Sequence, residues 1–225
     1  MHQLILSNGI FHEFQRTSAQ VASLGENVGL TTEIVTHPDA AFERLDKGGI
    51  DLFTVNALHW PMRGEKYDSY RSDWSYEMAE EGDACLNAYA HRGGKILGLH
   101  TASICFTHSR VWPELLGGAW QWGQSHHPAP QTITVLPTEP GTRLMLEAFD
   151  VVDELYCDLE VAGDVEVLMT GSDGHTHAQP VVWRRTEGTF KSAYCSMGHD
   201  LSALSNPSLS ALIIKLMRWL LEEGQ

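Results

Sequence analysis

The first 55 residues alternate between strand-like and helix-like patterns, and this alternation limits the possible folds more than any other feature. Short apolar or β-branched runs at 4–6, 31–35 and 51–55 predict strands. Helical spacing over 14–28 and 40–47 predicts helices between them. A βαβαβ order implies parallel strands, right-handed crossovers and helices on both faces of the sheet. Functional groups in such a fold collect beyond the carboxyl ends of the strands.

The rest of the chain is predicted to extend the same sheet within one α/β domain over 1–225. The polar, aromatic stretch at 56–74 has no periodicity and predicts a functional loop, either a lid or an oligomer contact. Helical spacing resumes at 75–91 and again at 111–116. The second half is rich in β-type runs, which predict some antiparallel pairing at the edge of a mainly parallel sheet. Its predicted strands lie at 132–136, 154–159, 165–169, 180–185 and 190–196, followed by a closing helix at 201–221.

A sharp turn is predicted at mid-chain, where the segment 95–102 reads K-I-L-G-L-H-T-A. In α/β hydrolases and class I glutamine amidotransferases, a strand-to-helix elbow of this shape presents a Ser or Cys nucleophile. The corresponding residue here is His100. Imidazole binds metals and carries protons at neutral pH, but it is only occasionally a nucleophile. We therefore expect the architecture of a hydrolytic site without acyl-transfer chemistry.

Composition and charge exclude several classes of partner and cofactor. The formal net charge of −14 is a poor match for nucleic acid or an anionic membrane, so we expect neither as a partner. No run of about 18 apolar residues is present, which predicts a soluble, cytoplasmic protein. A glycine-rich phosphate cradle is missing, so we expect no nucleotide cofactor. The four cysteines lie far apart without a C-x-x-C pair and are predicted to be buried free thiols: Cys85, Cys105, Cys157 and Cys195.

Four of the twelve histidines fall where this fold would bring elements together: His12, His100, His127 and His199. Their long separations fix no geometry, and a compact motif such as H-E-x-x-H is absent. Each of them has a structural role as its alternative. Glu154 is a carboxylate that could orient an imidazole or take up a proton, and a solvated strand end is the alternative for it.

Several other residues have predicted positions that bear on the site. Asp200 is expected to be the N-cap of the last helix. His175 and His177 fall in G-S-D-G-H-T-H, which favours an exposed loop. Among the tryptophans, Trp120 and Trp122 are the best candidates for ligand contacts, because exposed indoles can stack on sugar faces.

The order of short motifs along the chain resembles the ThuA-like family of trehalose utilisation proteins, over nearly the whole length. The motifs are G-L-H-T-A, W-P-E-L-L-G-G-A-W, H-H-P, D-E-L-Y, Q-P-V-V-W and M-G-H-D. The chain departs from the usual family pattern at Ala102, Trp120 and Met197. The recurrent family positions correspond here to Gly98, His100, Gly117, Gly118, His127, Glu154, Tyr156, Pro180, Trp183, Gly198 and His199.

The resemblance implies a flavodoxin-like three-layer sandwich of the class I glutamine amidotransferase type. It also implies a role in catabolism of trehalose, related disaccharides or their keto forms. Glutaminase activity is not expected, because the nucleophilic cysteine of amidotransferases is replaced by His100.

The main hypothesis is a sugar-metabolising enzyme that uses acid/base groups or a divalent metal, with zinc the most favoured ion. Predicted catalytic residues are His100, His199 and Glu154; predicted substrate contacts are His12, Trp120, Trp122 and Tyr156; predicted metal ligands are His100, His127 and His199. A carbohydrate is the expected small-molecule partner, and the large loop at 56–74 suggests a homo-oligomer. The alternative is a noncatalytic sugar-binding or assembly module that keeps an amidotransferase-like scaffold.

Overall fold

A computed structural model describes residues 1–222. The amino-terminal half contains β1 (His2–Leu6), α1 (Phe14–Glu26), β2 (Thr31–Val35), α2 (Pro38–Asp46), β3 (Leu52–Val55), α3 (Asp68–Trp74), α4 (Glu80–His91), β4 (Lys95–Leu99), α5 (Val111–Leu116) and β5 (Gly118–Ala119). The carboxyl-terminal half contains β6 (Gln131–Pro137), α6 (Glu139–Arg143), β7 (Phe149–Asp153), β8 (Glu160–Val161), β9 (Glu166–Ser172), β10 (Gln179–Glu187), β11 (Phe190–Cys195), α7 (Leu201–Leu204) and α8 (Pro207–Leu221).

Within the described residues 1–222, nine strands form one mixed sheet in the order β2-β1-β3-β4-β11-β10-β9-β6-β7. The first five are parallel to one another, in the order that flavodoxin-like folds use. The remaining four extend the sheet by antiparallel pairing. The predicted α/β fold, with antiparallel strands contributed by the second half, is confirmed.

Helices cover both faces of the parallel strands and make a three-layer sandwich. On one face α1 and α8 contact each other, and α8 also contacts β4 and β11. On the other face α2, α4 and α5 pack in a row. Apolar residues recur at helical spacing on one side of α8, and five of them are buried there: Leu209, Leu212, Ile213, Leu216 and Leu220. Each face of the sheet therefore has its own hydrophobic core.

The prediction of a strand at 154–159 is wrong, because the strand lies just before it, at Phe149–Asp153. Residues from Glu154 to Cys157 are all buried and have no inside-outside alternation. The Asp153 side chain accepts a hydrogen bond from the backbone N–H of Glu154, which turns the chain at the end of β7. This stretch thus crosses the edge of the sheet instead of pairing with a strand.

The closing helix predicted at 201–221 is two helices. Pro207 is the first residue of α8, where its missing N–H costs nothing, and Asn206 caps that helix by accepting hydrogen bonds from two backbone N–H groups. Asp200 caps α7 in the same way, as predicted. The break at Pro207 allows α7 to contact β7 and α1.

The predicted irregular loop at 56–74 contains a 3₁₀ turn at Glu65–Tyr67 and the short helix α3. The helix predicted at 75–91 begins only at Glu80. The loop packs Trp60 and Met62 against Phe14 of α1 in a small third core, which accounts for its aromatic composition. Its role as a lid or oligomer contact stays a prediction.

The four cysteines are buried free thiols, as predicted. His175 and His177 lie exposed in the loop between β9 and β10. Within residues 1–222, the structure contains no helix that is both long and apolar enough to cross a membrane.

Candidate functional site

The elbow after β4 places His100 at the carboxyl edge of the parallel strands. His100 is buried and has a left-handed backbone with φ of 45°, which is costly for a residue other than glycine. The surrounding structure holds this conformation, since the Tyr194 hydroxyl donates a hydrogen bond of 2.7 Å to the His100 carbonyl oxygen. The elbow continues as a 3₁₀ turn, His100–Ser103, rather than the α-helix found after a nucleophile elbow.

The tautomer of His100 follows from its partners. Its Nδ1 lies 2.8 Å from the carbonyl oxygen of Ser196, and a carbonyl oxygen can only accept. In the neutral ring the proton is therefore on Nδ1, and the lone pair of Nε2 points into the site. A backbone carbonyl that fixes the second nitrogen is the usual arrangement of a metal-binding histidine.

Three side chains converge on Nε2 of His100. The Nε2 of His12 lies 3.2 Å from it, the Tyr156 hydroxyl 3.2 Å, and the Glu154 carboxylate 3.5 Å. The tyrosine hydroxyl can donate to this nitrogen. His12 follows β1, so the first strand of the chain and the elbow strand β4 contribute imidazoles to the same point.

His199 brings the third imidazole to this point, from the loop that follows β11. Its Nδ1 lies 3.3 Å from the Glu154 carboxylate but is not oriented to form a hydrogen bond, and it is a buried nitrogen without a hydrogen-bond partner. A buried nitrogen that faces a carboxylate without a regular hydrogen bond can be satisfied by a proton or by a cation bound between the two groups. Gly198, with φ of 106° and Leu204 close to its α-carbon, gives the loop its tight turn before His199.

We define the His/Glu cluster as His12, His100, Glu154 and His199, whose candidate ligand atoms all lie within 4.8 Å of one another. Three imidazoles and one carboxylate are a donor set that suits zinc. The orphan nitrogen of His199 and the lone pair of His100 both fit a bound cation. The cluster can also transfer protons, because imidazole and carboxylate groups are in contact.

Burial and the contacts between its members lower the pKa of His12 and Glu154 and raise the pKa of His199. Burial lowers the pKa of His12 to about 3, and the neighbouring imidazoles act in the same direction. Burial alone would raise the pKa of Glu154, but the nearby imidazoles of His100 and His199 outweigh it and lower that pKa. The Glu154 carboxylate in turn raises the pKa of His199. His12 is therefore neutral and Glu154 ionised at neutral pH.

Asp153 organises the cluster without entering it, and it was not among the site residues predicted from the sequence. Its carboxylate accepts backbone N–H hydrogen bonds from Gly198 at 2.6 Å, His199 at 3.2 Å and Glu154 at 2.8 Å. Burial raises the pKa of Asp153 despite these bonds. The aspartate in D-E-L-Y was the available signal, but two of its three partners, Gly198 and His199, lie more than 40 residues away.

The other predicted site residues form a second layer around the cluster. His127 contacts the outer oxygen of Glu154, with its Nδ1 at 3.5 Å, and its side chain is 39% exposed. It lies beside the cluster rather than in it, whereas His12, a predicted substrate contact, is one of the four. The Tyr156 ring lies 4.6 Å from the His100 ring and 5.2 Å from Trp120. Trp122 lies next to Trp120 and is 47% exposed.

Comparison with protein families gives one match that spans most of the chain. The model of the ThuA family, described as trehalose utilisation, matches residues 4–220. No curated protein sequence matches the chain.

Solved structures with a similar fold share little sequence with this chain. A ThuA-like protein from Parabacteroides merdae ATCC 43184 is 14% identical with a TM-score of 0.76, over 100% of this chain and 92% of that one. A protein described as cytoplasmic from Salmonella typhimurium LT2 is 12% identical with a TM-score of 0.64, over 98% and 97%. A cold-adapted β-galactosidase from Rahnella sp. R3 is 12% identical with a TM-score of 0.64, and 99% of this chain matches 31% of that chain. At these identities the likeness shows the fold alone.

Proposed function

We propose that this chain, which belongs to the ThuA family of trehalose utilisation, is an enzyme of disaccharide catabolism. In this proposal the His/Glu cluster binds a divalent cation, zinc above all. The substrate class that suits this site is a keto sugar derived from a disaccharide. The family supports the role in carbohydrate use, and the geometry of the cluster supports the chemistry.

One observation carries the proposal: the Nε2 atoms of His12 and His100 face each other at 3.2 Å. Each ring has its Nδ1 next to a carbonyl oxygen, that of Ile10 at 3.4 Å for His12 and that of Ser196 at 2.8 Å for His100. With both protons on Nδ1, two lone pairs oppose each other. A cation among these nitrogens, the orphan Nδ1 of His199 and the ionised Glu154 would turn this repulsion into ligation.

The chemistry follows from which groups would hold the cation and which would stay free. A bound divalent ion would polarise the carbonyl of a keto sugar. His127 contacts Glu154 yet is partly exposed, and we assign its imidazole the role of base. It would remove the proton from the carbon beside that carbonyl and give the same proton back to the resulting enediolate, so that no other reactant is needed. The Tyr156 hydroxyl, 3.2 Å from His100, is the O–H group beside the cluster that can donate to a substrate oxygen.

Amidotransferase chemistry does not fit these residues. The elbow residue is His100, and the nearest cysteine along the chain, Cys105, is buried and donates its thiol proton to the Ala57 carbonyl oxygen. Burial raises the pKa of Cys105 to about 12, which leaves it protonated and unreactive at neutral pH.

The test is elemental analysis of protein purified without an affinity tag or added metal, together with His100→Ala and a matched control, His126→Ala. His126 is exposed and pairs with Asp158 away from the cluster. We expect about one zinc, manganese or iron per chain in the unaltered protein and the control, and none in His100→Ala. Turnover of keto derivatives of trehalose should follow the metal.

Absence of metal from all three proteins would refute the metal site. If calorimetry then showed saturable sugar binding that chelator does not affect, the protein would be a sugar-binding module rather than a metal-dependent enzyme.

A further inference from the structure

A cavity of about 490 Å³ is lined by Trp120, whose ring contacts Tyr156 beside the His/Glu cluster, and the proposed chemistry does not use it. Its volume is within the range of about 300–1,000 Å³ typical of small-molecule sites. The residues that matter for its chemistry are Ser103, His108, Glu114, Trp120, Trp122 and Glu160. A second cavity of about 310 Å³ shares Thr107, His108 and Trp122 with the first, so the two adjoin at Trp122. We call this pair of cavities the aromatic groove.

The aromatic groove begins one side chain away from the cluster. Trp120 lines the first cavity, and its ring lies 5.2 Å from that of Tyr156 and 6.1 Å from that of His127. Tyr156 in turn contacts His100 at 3.2 Å. No cluster residue lines either cavity among the described residues, so Trp120 and Tyr156 are the side chains that connect the groove to the cluster.

Trp122 is the residue of the groove whose exposure most favours a bound ligand. It is 47% exposed, whereas Trp60, Trp112 and Trp183 are at most 3% exposed. Its ring meets Trp120 at an interplanar angle of 63°, so the two indoles do not stack and cover each other's faces. An open indole face in a cavity suits the apolar face of a sugar ring, and stacking there removes apolar surface from water.

The polar groups of the groove favour a neutral ligand. No lysine or arginine lines the first cavity among the described residues, while two carboxylates, Glu114 and Glu160, do. Arg63 lines the second cavity, but it pairs with Glu77 at 3.3 Å. Carboxylates accept hydrogen bonds from sugar hydroxyls and repel phosphate groups. A phosphorylated sugar is therefore a poor occupant.

We propose that the aromatic groove is the subsite for the second ring of an unphosphorylated disaccharide, which stacks on Trp122 while its first ring lies at the His/Glu cluster. This inference rests on the proposed function, since the cluster defines where the first ring lies. Glu160 is positioned by a hydrogen bond from the Gln121 amide, which fixes one acceptor at the groove.

The test is calorimetric titration of the unaltered protein, Trp122→Ala and Trp122→Phe with trehalose, trehalose 6-phosphate and glucose. Phe11→Ala is the matched control, because Phe11 is an aromatic side chain that is 56% exposed and does not line the groove. We expect Trp122→Ala to weaken trehalose binding about tenfold, with Trp122→Phe retaining most of it. Glucose affinity should not change, and the unaltered protein should prefer trehalose to its phosphate.

The outcomes separate this inference from the proposed function. Trehalose affinity that is equal in Trp122→Ala and the unaltered protein would overturn the subsite, whatever the metal content. Stronger binding of trehalose 6-phosphate would overturn the assignment of a neutral ligand. A tenfold loss in Trp122→Ala, in protein that holds no metal, would support the subsite and refute the metal-dependent function.

Discussion

The carboxylate of Asp153 accepts a hydrogen bond of 2.6 Å from the backbone N–H of Gly198. This bond ties the end of β7 to the loop after β11, although those strands are separated by three others in the sheet. The same carboxylate holds the N–H groups of His199 and Glu154. Asp153 is therefore the residue that brings one carboxylate and one imidazole of the cluster together.

Asp153→Asn should weaken zinc binding about 10- to 100-fold, the usual cost of losing an outer partner of a metal ligand. An asparagine keeps the size of the side chain but places an NH₂ group where one oxygen accepted an N–H. Competition with a chromophoric chelator measures the change.

Asp200→Ala is the control, because Asp200 caps α7 on the same loop at 2.8 Å from the Ala203 N–H. We expect it to cost about 1 kcal/mol of stability and to leave zinc affinity unchanged. Equal zinc affinity in Asp153→Asn and the unaltered protein would show that the bond only stabilises the fold.

Zinc should raise the stability of the protein, and a chelator should reverse the effect. A ligand that binds only the folded state at 100 times its dissociation constant adds about 2.7 kcal/mol to the free energy of unfolding. Urea unfolding with and without zinc measures this increment. His12→Ala should lose most of it, since His12 is one of the four cluster residues, while His177→Ala in the exposed loop should retain it. If zinc raised the free energy of unfolding of His12→Ala by the same amount as that of the unaltered protein, His12 would not be a metal ligand.

Gly98→Ala should destabilise the elbow by about 1–3 kcal/mol through overpacking. A β-carbon at this position would lie 2.5 Å from Cδ1 of Leu116, 3.2 Å from Tyr194 and 3.3 Å from Cβ of Ala102. Gly163→Ala is the control, because a β-carbon there meets nothing within 4 Å. Urea unfolding should place that variant within about 0.5 kcal/mol of the unaltered protein. A fully stable Gly98→Ala would mean that the elbow can shift to make room.

Stability should fall on the alkaline side, partly through Cys105. Burial raises the pKa of Cys105 to about 12, above the value of about 8.5 of a free thiol. Its contribution is therefore fully present below pH of about 8.5 and is lost as the pH rises toward 12, because the unfolded state releases its proton first. Urea unfolding between pH 8 and about 10 should show a shallower decline for Cys105→Ala than for the unaltered protein. Parallel declines would mean that Cys105 does not ionise preferentially in the unfolded state.

Local patterns were sufficient for much of the fold. The βαβαβ order of the first 55 residues and the strand that leads into His100 are properties of short segments, so periodicity and turn residues reveal them. Boundaries were less accurate where side chains act over long distances. The strand predicted at 154–159 lies at Phe149–Asp153 instead, because Asp153 turns the chain by binding N–H groups in its own and in a distant loop.

The sequence by itself determined the parallel α/β layout, the family and a set of histidines at the ends of strands. Only the tertiary structure decided which of them meet: His12 joins the cluster, and His127 lies beside it. β7 is separated from β11 by four strand spacings, roughly 19 Å, yet Glu154 reaches His199 because the chain crosses back over the edge of the sheet. Sequence patterns report on neighbours within a few residues, whereas a site assembled from β1, β4, β7 and β11 depends on strand order and on contacts between residues more than 40 positions apart. That is the physical reason why the residue types were predictable and their arrangement was not.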